Sequence, residues 1–265
     1  MKFRHIIFFL ALISSLSCSK FSKILKSNDY DYKLKMANEY YDKKKYRQAQ
    51  TLYEELFTIY KGTPQFEDLY YKYAYCHYLT KDYPGAENLF KGYLEVFPSS
   101  PRADDVEYMQ AYSFYRESPK TELDQTNTFK AMGMLQTFIN THPGSGKNKD
   151  AEKIIELCQD KLENKEYQAA ELYYNVGQYR AAAIAFTSLI NDFPDSKKAD
   201  EYKLLIIKSY YKYASLSVPE KQQGRYEKVI TEIQDFQDRY PESKLLKDAE
   251  RYLTLSQTNL KSLSK

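Results

Sequence analysis

Tryptophan is absent from this chain of 265 residues, glycine is scarce at 8, and histidine and cysteine come to 3 each. Each shortage closes off a class of function. Without tryptophan there are no indole platforms of the kind that hold sugar rings, which argues against a glycan-capturing surface. The few glycines form no phosphate-cradling loop, no nucleophile elbow and no dinucleotide fingerprint. Of the histidines, His5 lies at the extreme N-terminus, His77 falls at an expected core position, and His142 sits beside a helix-ending proline. None has a second histidine or a cysteine at metal-ligand spacing. Lysine and the acids are interspersed and the net charge is only +3, so no basic stripe argues for nucleic acid. The carboxylate pairs Asp104-Asp105 and Glu54-Glu55 read as solvated first-turn and helix-face charges, not as acid–base pairs. No catalytic residue, metal or cofactor is expected.

No apolar run approaches the roughly 20 residues that would span a bilayer. The longest opens the chain, where the basic start Met1-Lys2-Phe3-Arg4-His5 leads through Ile6 to Ile13 and on to Ser15-Leu16-Ser17-Cys18. That pattern is a secretory signal over residues 1–17. The small residue before Cys18 resembles the lipobox of bacterial lipoproteins, with Ser15 standing where leucine is more usual. The resemblance implies cleavage before Cys18 and acylation of its sulfur. Residues 18–29, with Lys20, Lys23 and Lys26 among serines, read as a lipidated tether. No acidic run follows the cysteine, which favours the periplasmic face. Cys76 and Cys158 each fall in a helical apolar pattern and read as buried thiols, with a disulfide between them left open by an oxidising compartment.

Beyond the tether the chain repeats. Ala37, Ala74 and Ala111 stand at one interval (74 − 37 = 37; 111 − 74 = 37), as do Tyr41, Tyr78 and Tyr115, and Leu34, Tyr71 and Tyr108. A fixed period in the range of roughly 20–50 residues signals stacked helical hairpins. Aligned on the small residue, the copies show the pattern of a tetratricopeptide repeat: Ala37, Tyr40, Ala49 and Tyr53, then Ala74, His77, Ala86 and Phe90. A third copy starts at Ala111 and Phe114 and resumes at Ala131, Leu135 and Phe138 after an enlarged loop from Glu117 to Thr126. A fourth has Ala170, Tyr173, Ala182, Phe186 and Leu189, and a fifth uses Leu204 to Ile207, Tyr210, Tyr211, Val229, Ile233 and Phe236. Second helices end on a proline phrase, at Pro98, Pro143, Pro194 and Pro241. The serine that follows, as at Ser100 or Ser196, is expected to cap the next helix. The expected fold is all-α, a right-handed superhelical solenoid of about five tetratricopeptide-like hairpins. Repeats 1–3 occupy residues 30–145 and repeats 4–5 residues 146–265, with a long helix after Gly144-Ser145-Gly146-Lys147.

Binding surfaces of such solenoids lie on the concave face of the first helices. There the repeat places Lys35, Asn38 and Tyr41, then Tyr71, Lys72, Tyr75 and Tyr78, then Tyr108, Tyr112 and Tyr115, with Arg116 beside them. Tyrosine combines a large face with a hydroxyl at low rotamer cost, which suits capture of an extended or unfolded chain. Lys35, Lys72 and Arg116 add cations for a terminal carboxylate. For any single tyrosine, packing between hairpins is an equal alternative.

The lipobox, the repeats and two phrases together resemble the component-D tetratricopeptide lipoproteins of the outer-membrane β-barrel assembly machinery. The phrases run from Asp160 to Tyr174, closing at Asp192-Phe193-Pro194-Asp195-Ser196, and from Tyr115-Arg116-Glu117-Ser118-Pro119 to Leu123-Asp124-Gln125-Thr126. The resemblance covers the chain from about residue 30 to 255. It implies a non-enzymatic scaffold anchored to the outer membrane on its periplasmic face. Its first repeats would meet unfolded outer-membrane β-barrel proteins. Its last would dock on the barrel-forming subunit through the region from Tyr167 to Tyr252, with Tyr167, Glu171, Tyr174, Tyr210 and Tyr211 as docking residues. The chain departs from the pattern in its 28 tyrosines and in the apolar run from Ala181 to Phe186. A periplasmic repeat adaptor coordinating envelope or cell-wall processes is the alternative, though no heptad run stands between Ser19 and Tyr32.

Overall fold

The computed structural model describes residues 20–264, and among them every regular element is an α-helix. Residues 20–25 form α1. Three hairpins follow: α2 (Tyr30–Asp42) with α3 (Tyr46–Phe57), α4 (Phe66–Leu79) with α5 (Tyr83–Val96), and α6 (Ala103–Glu117) with α7 (Thr126–Thr141). Then come α8 (Asn148–Asn175), α9 (Tyr179–Asp192), α10 (Ala199–Ser215), α11 (Pro219–Arg239) and α12 (Leu246–Leu263). The chain divides into two compact units, 1–158 and 159–265. The signal segment, the acylation site at Cys18 and the first tether residues lie outside the described residues.

In unit 1 each helix from α2 to α7 packs on its neighbour in sequence, the signature of a repeat array. The alanines of the period sit where helices cross: Ala37, Ala49, Ala74, Ala86, Ala111 and Ala131 are all fully buried or within 1% of it. Around them Tyr53, Phe90, Tyr93, Leu135 and Phe138 are completely enclosed, each side chain contributing about 1.5–3 kcal/mol of transfer free energy. The unit ends inside α8, not in the Gly144–Lys147 loop, because Ala151, Ile154, Ile155 and Cys158 on the first half of that helix belong to the same core. Cys76 and Cys158 are both buried and no disulfide joins them, and burial pushes the Cys76 thiol up to about 12.

Unit 2 has two smaller cores. Ala170, Ala182, Phe186 and Leu189 pack with Tyr202 and Ile206, and Leu204, Ile207, Val229, Ile233 and Phe236 pack with Ala249 of α12. Tyr173 departs from expectation. It holds the repeat position where Tyr40 is buried in the first copy, yet it is 46% exposed.

Two local devices set the hairpin geometry. Three of the hairpin turns, α2–α3, α4–α5 and α8–α9, pass through one left-handed residue, Lys44 at φ 58°, Lys81 at φ 68° and Gly177 at φ 80°. Asp82 then caps α5, its carboxylate accepting from the Gly85 amide at 3.2 Å, with Pro84 in the first turn. The serine after each helix-ending proline is a different kind of brace from the expected cap. The N-caps of α6, α10 and α12 are Arg102, Lys198 and Leu245. Ser100, Ser196 and Ser243 stand two residues earlier. Each accepts from the amide two residues on, at 3.0–3.1 Å, and donates back to Glu67, Glu163 or Asp200 on a preceding helix. Deep tyrosines reach the same acids: Tyr93 donates to Glu67 at 2.9 Å and Tyr202 to Glu163 at 2.5 Å. Tyrosine is thus abundant partly because a ring fills the space between hairpins while its hydroxyl satisfies a carboxylate across the gap.

Candidate binding surface

The expected surface residues come from α2, α4 and α6 of unit 1, and the structure joins nearly all of them in one network. Lys72 donates to Asn38 Oδ1 at 2.9 Å and lies 5.9 Å from the Tyr41 ring. It also pairs with Asp68 at 2.7 Å, and Asp68 in turn accepts from Arg102 at 3.0 Å. The Arg102 guanidinium stacks 4.6 Å from the Tyr71 ring, which is 4.7 Å from that of Tyr75. Tyr71 donates to Asp105 at 2.8 Å and Tyr75 donates to the same Oδ2, while Lys147 pairs with the other oxygen at 2.7 Å. Lys147 lies 4.6 Å over Tyr108, which stacks on Tyr112 at 5.8 Å and 12°. Tyr112 continues to Tyr115 and to Tyr78, whose hydroxyl accepts from Arg116.

Electrostatics follow from that arrangement. Burial acts to raise the Asp105 carboxyl, but bonds from Lys147, Tyr75 and Tyr71 outweigh it and hold it below the usual carboxylate value. Asp68 is likewise opposed by burial and carried down by Lys72 and Arg102. Burial raises the hydroxyls of Tyr41, Tyr71, Tyr75 and Tyr108, the last to about 12, so they stay protonated donors at any physiological pH.

The surface differs from the expectation in three ways. Lys72 is already spent on Asp68 and Asn38, which leaves the exposed Lys35 and Arg116 as the cations open to a ligand. Tyr108 is only 8% exposed, so it supports the surface instead of presenting a face. Asp105, read as a solvated charge, is the central acceptor of the ladder. Its partner in the pair, Asp104, is exposed and lies 3.4 Å from His142. Asp68, Arg102, Asp105 and Lys147 were passed over in the sequence, although the repeat carried the signal for two of them. Asp31, Asp68 and Asp105 share the period of the alanines (68 − 31 = 37; 105 − 68 = 37), in the first turn of each first helix.

The docking residues of unit 2 are tied inward. Tyr167 donates to Glu171 at 2.9 Å with its ring 5.7 Å from Tyr202, and its hydroxyl is pushed up to about 12 by burial and by Glu171. Tyr174 packs on Tyr179 at 5.3 Å, Tyr211 on Tyr252 at 5.2 Å, and Tyr210 lies under Lys228 at 5.7 Å. The apolar side chains presented to solvent are others: Leu172 at 62%, Tyr173, Val176 at 59% and Ile184 at 52%. Among the described residues no group of three or more His, Cys, Asp and Glu is placed to hold a metal, and no helix is long and apolar enough to cross a membrane.

A family model described as YfiO, outer membrane lipoprotein, matches residues 31–223. No curated protein sequence matches the chain. Among solved structures it is similar to TPR-like repeats of a chain designated a kinesin light chain from Podospora anserina, at 10% identity and TM-score 0.34, over 80% of this chain and 96% of that one. It is also similar to the TPR2AB domain of yeast Sti1 in its complex with pHSP90, at 11% identity and TM-score 0.39, over 86% and 98%.

Proposed function

Because the chain belongs to the YfiO family of outer membrane lipoproteins, we propose that it is a non-catalytic scaffold of the outer-membrane β-barrel assembly complex, held by lipid on Cys18 at the periplasmic face. Unit 1 receives unfolded outer-membrane β-barrel proteins, and unit 2 docks on the barrel-forming subunit. The observation that supports the first role is the ladder itself. Tyr71, Tyr75, Tyr78, Tyr112 and Tyr115 are half-buried, so each keeps part of a ring open while hydrogen bonds and neighbouring rings fix its orientation. Rigid aromatic faces bind an extended segment with little ordering cost on the protein's side. Exposed Arg116, 4.8 Å from the Tyr83 ring, supplies a cation at one end. The second role is supported by the exposed apolar side chains at the end of α8 and on α9, which a partner would remove from water.

No nucleotide is required. Tethering the client-holding surface to the barrel subunit raises the effective concentration of client at the site of folding. The test is site-specific photocrosslinking of the full-length lipoprotein in envelope membranes. Probes at Tyr78 and Tyr115 are expected to capture unfolded β-barrel proteins, and probes at Leu172 and Ile184 one large barrel protein with periplasmic repeat domains. Capture of wall-synthesis proteins from both sets would replace this reading with the envelope adaptor.

A further inference from the structure

The turn ends of the first two hairpins carry a basic groove that neither the ladder nor the docking face uses. It is lined by Lys44, Lys45, Tyr46 and Arg47 from the α2–α3 turn and by Leu79 and Lys81 from the α4–α5 turn. Lys45 also lines an adjoining hollow with Lys20, Glu39 and Lys43, so the positive surface runs on to α1. Two of the nearby acids are engaged, while exposed Asp42 precedes the lysine run and leaves it in net excess of positive charge. Glu39 bonds Lys43 at 3.1 Å, and Asp82 is taken by His77 and by the Gly85 amide. Lys44 and Lys81 both occupy left-handed backbone, where the corresponding turn of unit 2 has Gly177. A lysine there gives up backbone ease that glycine would supply. Unit 2's turns have a different character, with exposed Val176, Leu216 and Val218.

We propose that this groove rests on anionic phospholipid headgroups of the membrane that holds the anchor. Lys20 follows Cys18 by two residues, a chain reach of about 7 Å, and α1 is fixed to unit 1 by fully buried Ile24 and by the Phe21 ring 5.6 Å from Tyr40. A lipid on Cys18 therefore brings this end of the unit to the headgroup layer. There Lys20, Lys44, Lys45, Arg47 and Lys81 meet phosphates, while Tyr46 and exposed Leu79 suit the interface. The contact fixes which end of the hairpins faces the membrane.

The proposal rests on the anchor read at Cys18, and the test separates the two. Full-length lipoprotein is mixed with vesicles of phosphatidylcholine alone or of equal parts phosphatidylcholine and phosphatidylglycerol, floated, and treated with a water-soluble amine-acylating reagent. Flotation reports the anchor, and the rates at Lys44, Lys45 and Lys81, read by mass spectrometry against the chain in neutral detergent, report the groove. The expected result is flotation on both vesicles, with these lysines reacting roughly fivefold more slowly on the anionic ones and recovering in high salt. Flotation on both with equal rates overturns the headgroup contact and leaves the anchor intact. Flotation on anionic vesicles alone supports the groove and removes the anchor, and flotation on neither removes both. Equal slowing by glycerol phosphate in detergent would assign the groove to a soluble anion and overturn the membrane reading.

Discussion

Replacing Asp105 by asparagine tests the account of the ladder at its centre. The carboxylate accepts from Tyr71 at 2.8 Å, from Tyr75, and from Lys147 at 2.7 Å, and it is the shared partner of the two α4 rings. An amide keeps one good acceptor and loses the charge. The one oxygen that takes both hydroxyls survives as a neutral acceptor, so the two tyrosine bonds weaken by about 1.5 kcal/mol together, and the oxygen that Lys147 pairs with becomes an NH2 donor. Lys147 is about a third exposed, so its share is screened and comes to no more than about 1 kcal/mol. The sum is about 2–3 kcal/mol at pH 7. The sign with pH is fixed by the direction of the shift. Asp105 is held below its unfolded value, so its contribution is complete above about pH 4 and disappears as pH falls through the folded value. Urea unfolding followed by circular dichroism should therefore separate Asp105→Asn from the parent at pH 7 and bring them together near the bottom of the acid range. Amide exchange should place the loss in α4 and α6, accelerated about thirty- to a hundredfold. A difference under about 0.5 kcal/mol at pH 7, or one that persists unchanged in acid, would refute the claim that the carboxylate organises the ladder.

Two further perturbations probe packing and buried charge. A Cβ on Gly92 would stand 2.2 Å from the Tyr70 hydroxyl, and Tyr70 is wedged among Phe57, Phe66 and Tyr93, so Gly92→Ala should destabilise unit 1 by about 1–2 kcal/mol. Gly133, within α7 and with nothing near its Cβ position, is the control: Gly133→Ala should raise the melting temperature, gaining up to about 1 kcal/mol of helix propensity. In unit 2, Lys203 is buried between Glu232 and Asp235, whose carboxyls it draws down against the opposing effect of burial. Lys203→Met should cost about 3 kcal/mol at pH 7, and the gap should narrow in acid as both carboxylates protonate. Urea titrations at the two pH values decide it.

The period of the alanines and aromatics was enough to determine the fold class, the hairpin positions and the side of each first helix that carries the tyrosines. Small residues at helix crossings and rings between hairpins are local requirements, and every copy of the repeat must meet them again. The phrases at Asp160–Tyr174 and Tyr115–Thr126 added the family. Which charges matter was a tertiary decision. Asp104 and Asp105 are adjacent and chemically alike in the sequence, yet one is exposed beside His142 while the other takes two tyrosines and a lysine, the lysine coming from the distant loop before α8. Lys72 seemed an open cation until Asp68 and Asn38 closed on it. Tyr173 matched the groove-filling position by spacing and still came out exposed, because α9 and α10 close over Tyr167 and Ala170 instead. Spacing fixes which face of a helix a residue occupies. What covers that face depends on groups brought in from other helices, and only packing decides which of them arrive.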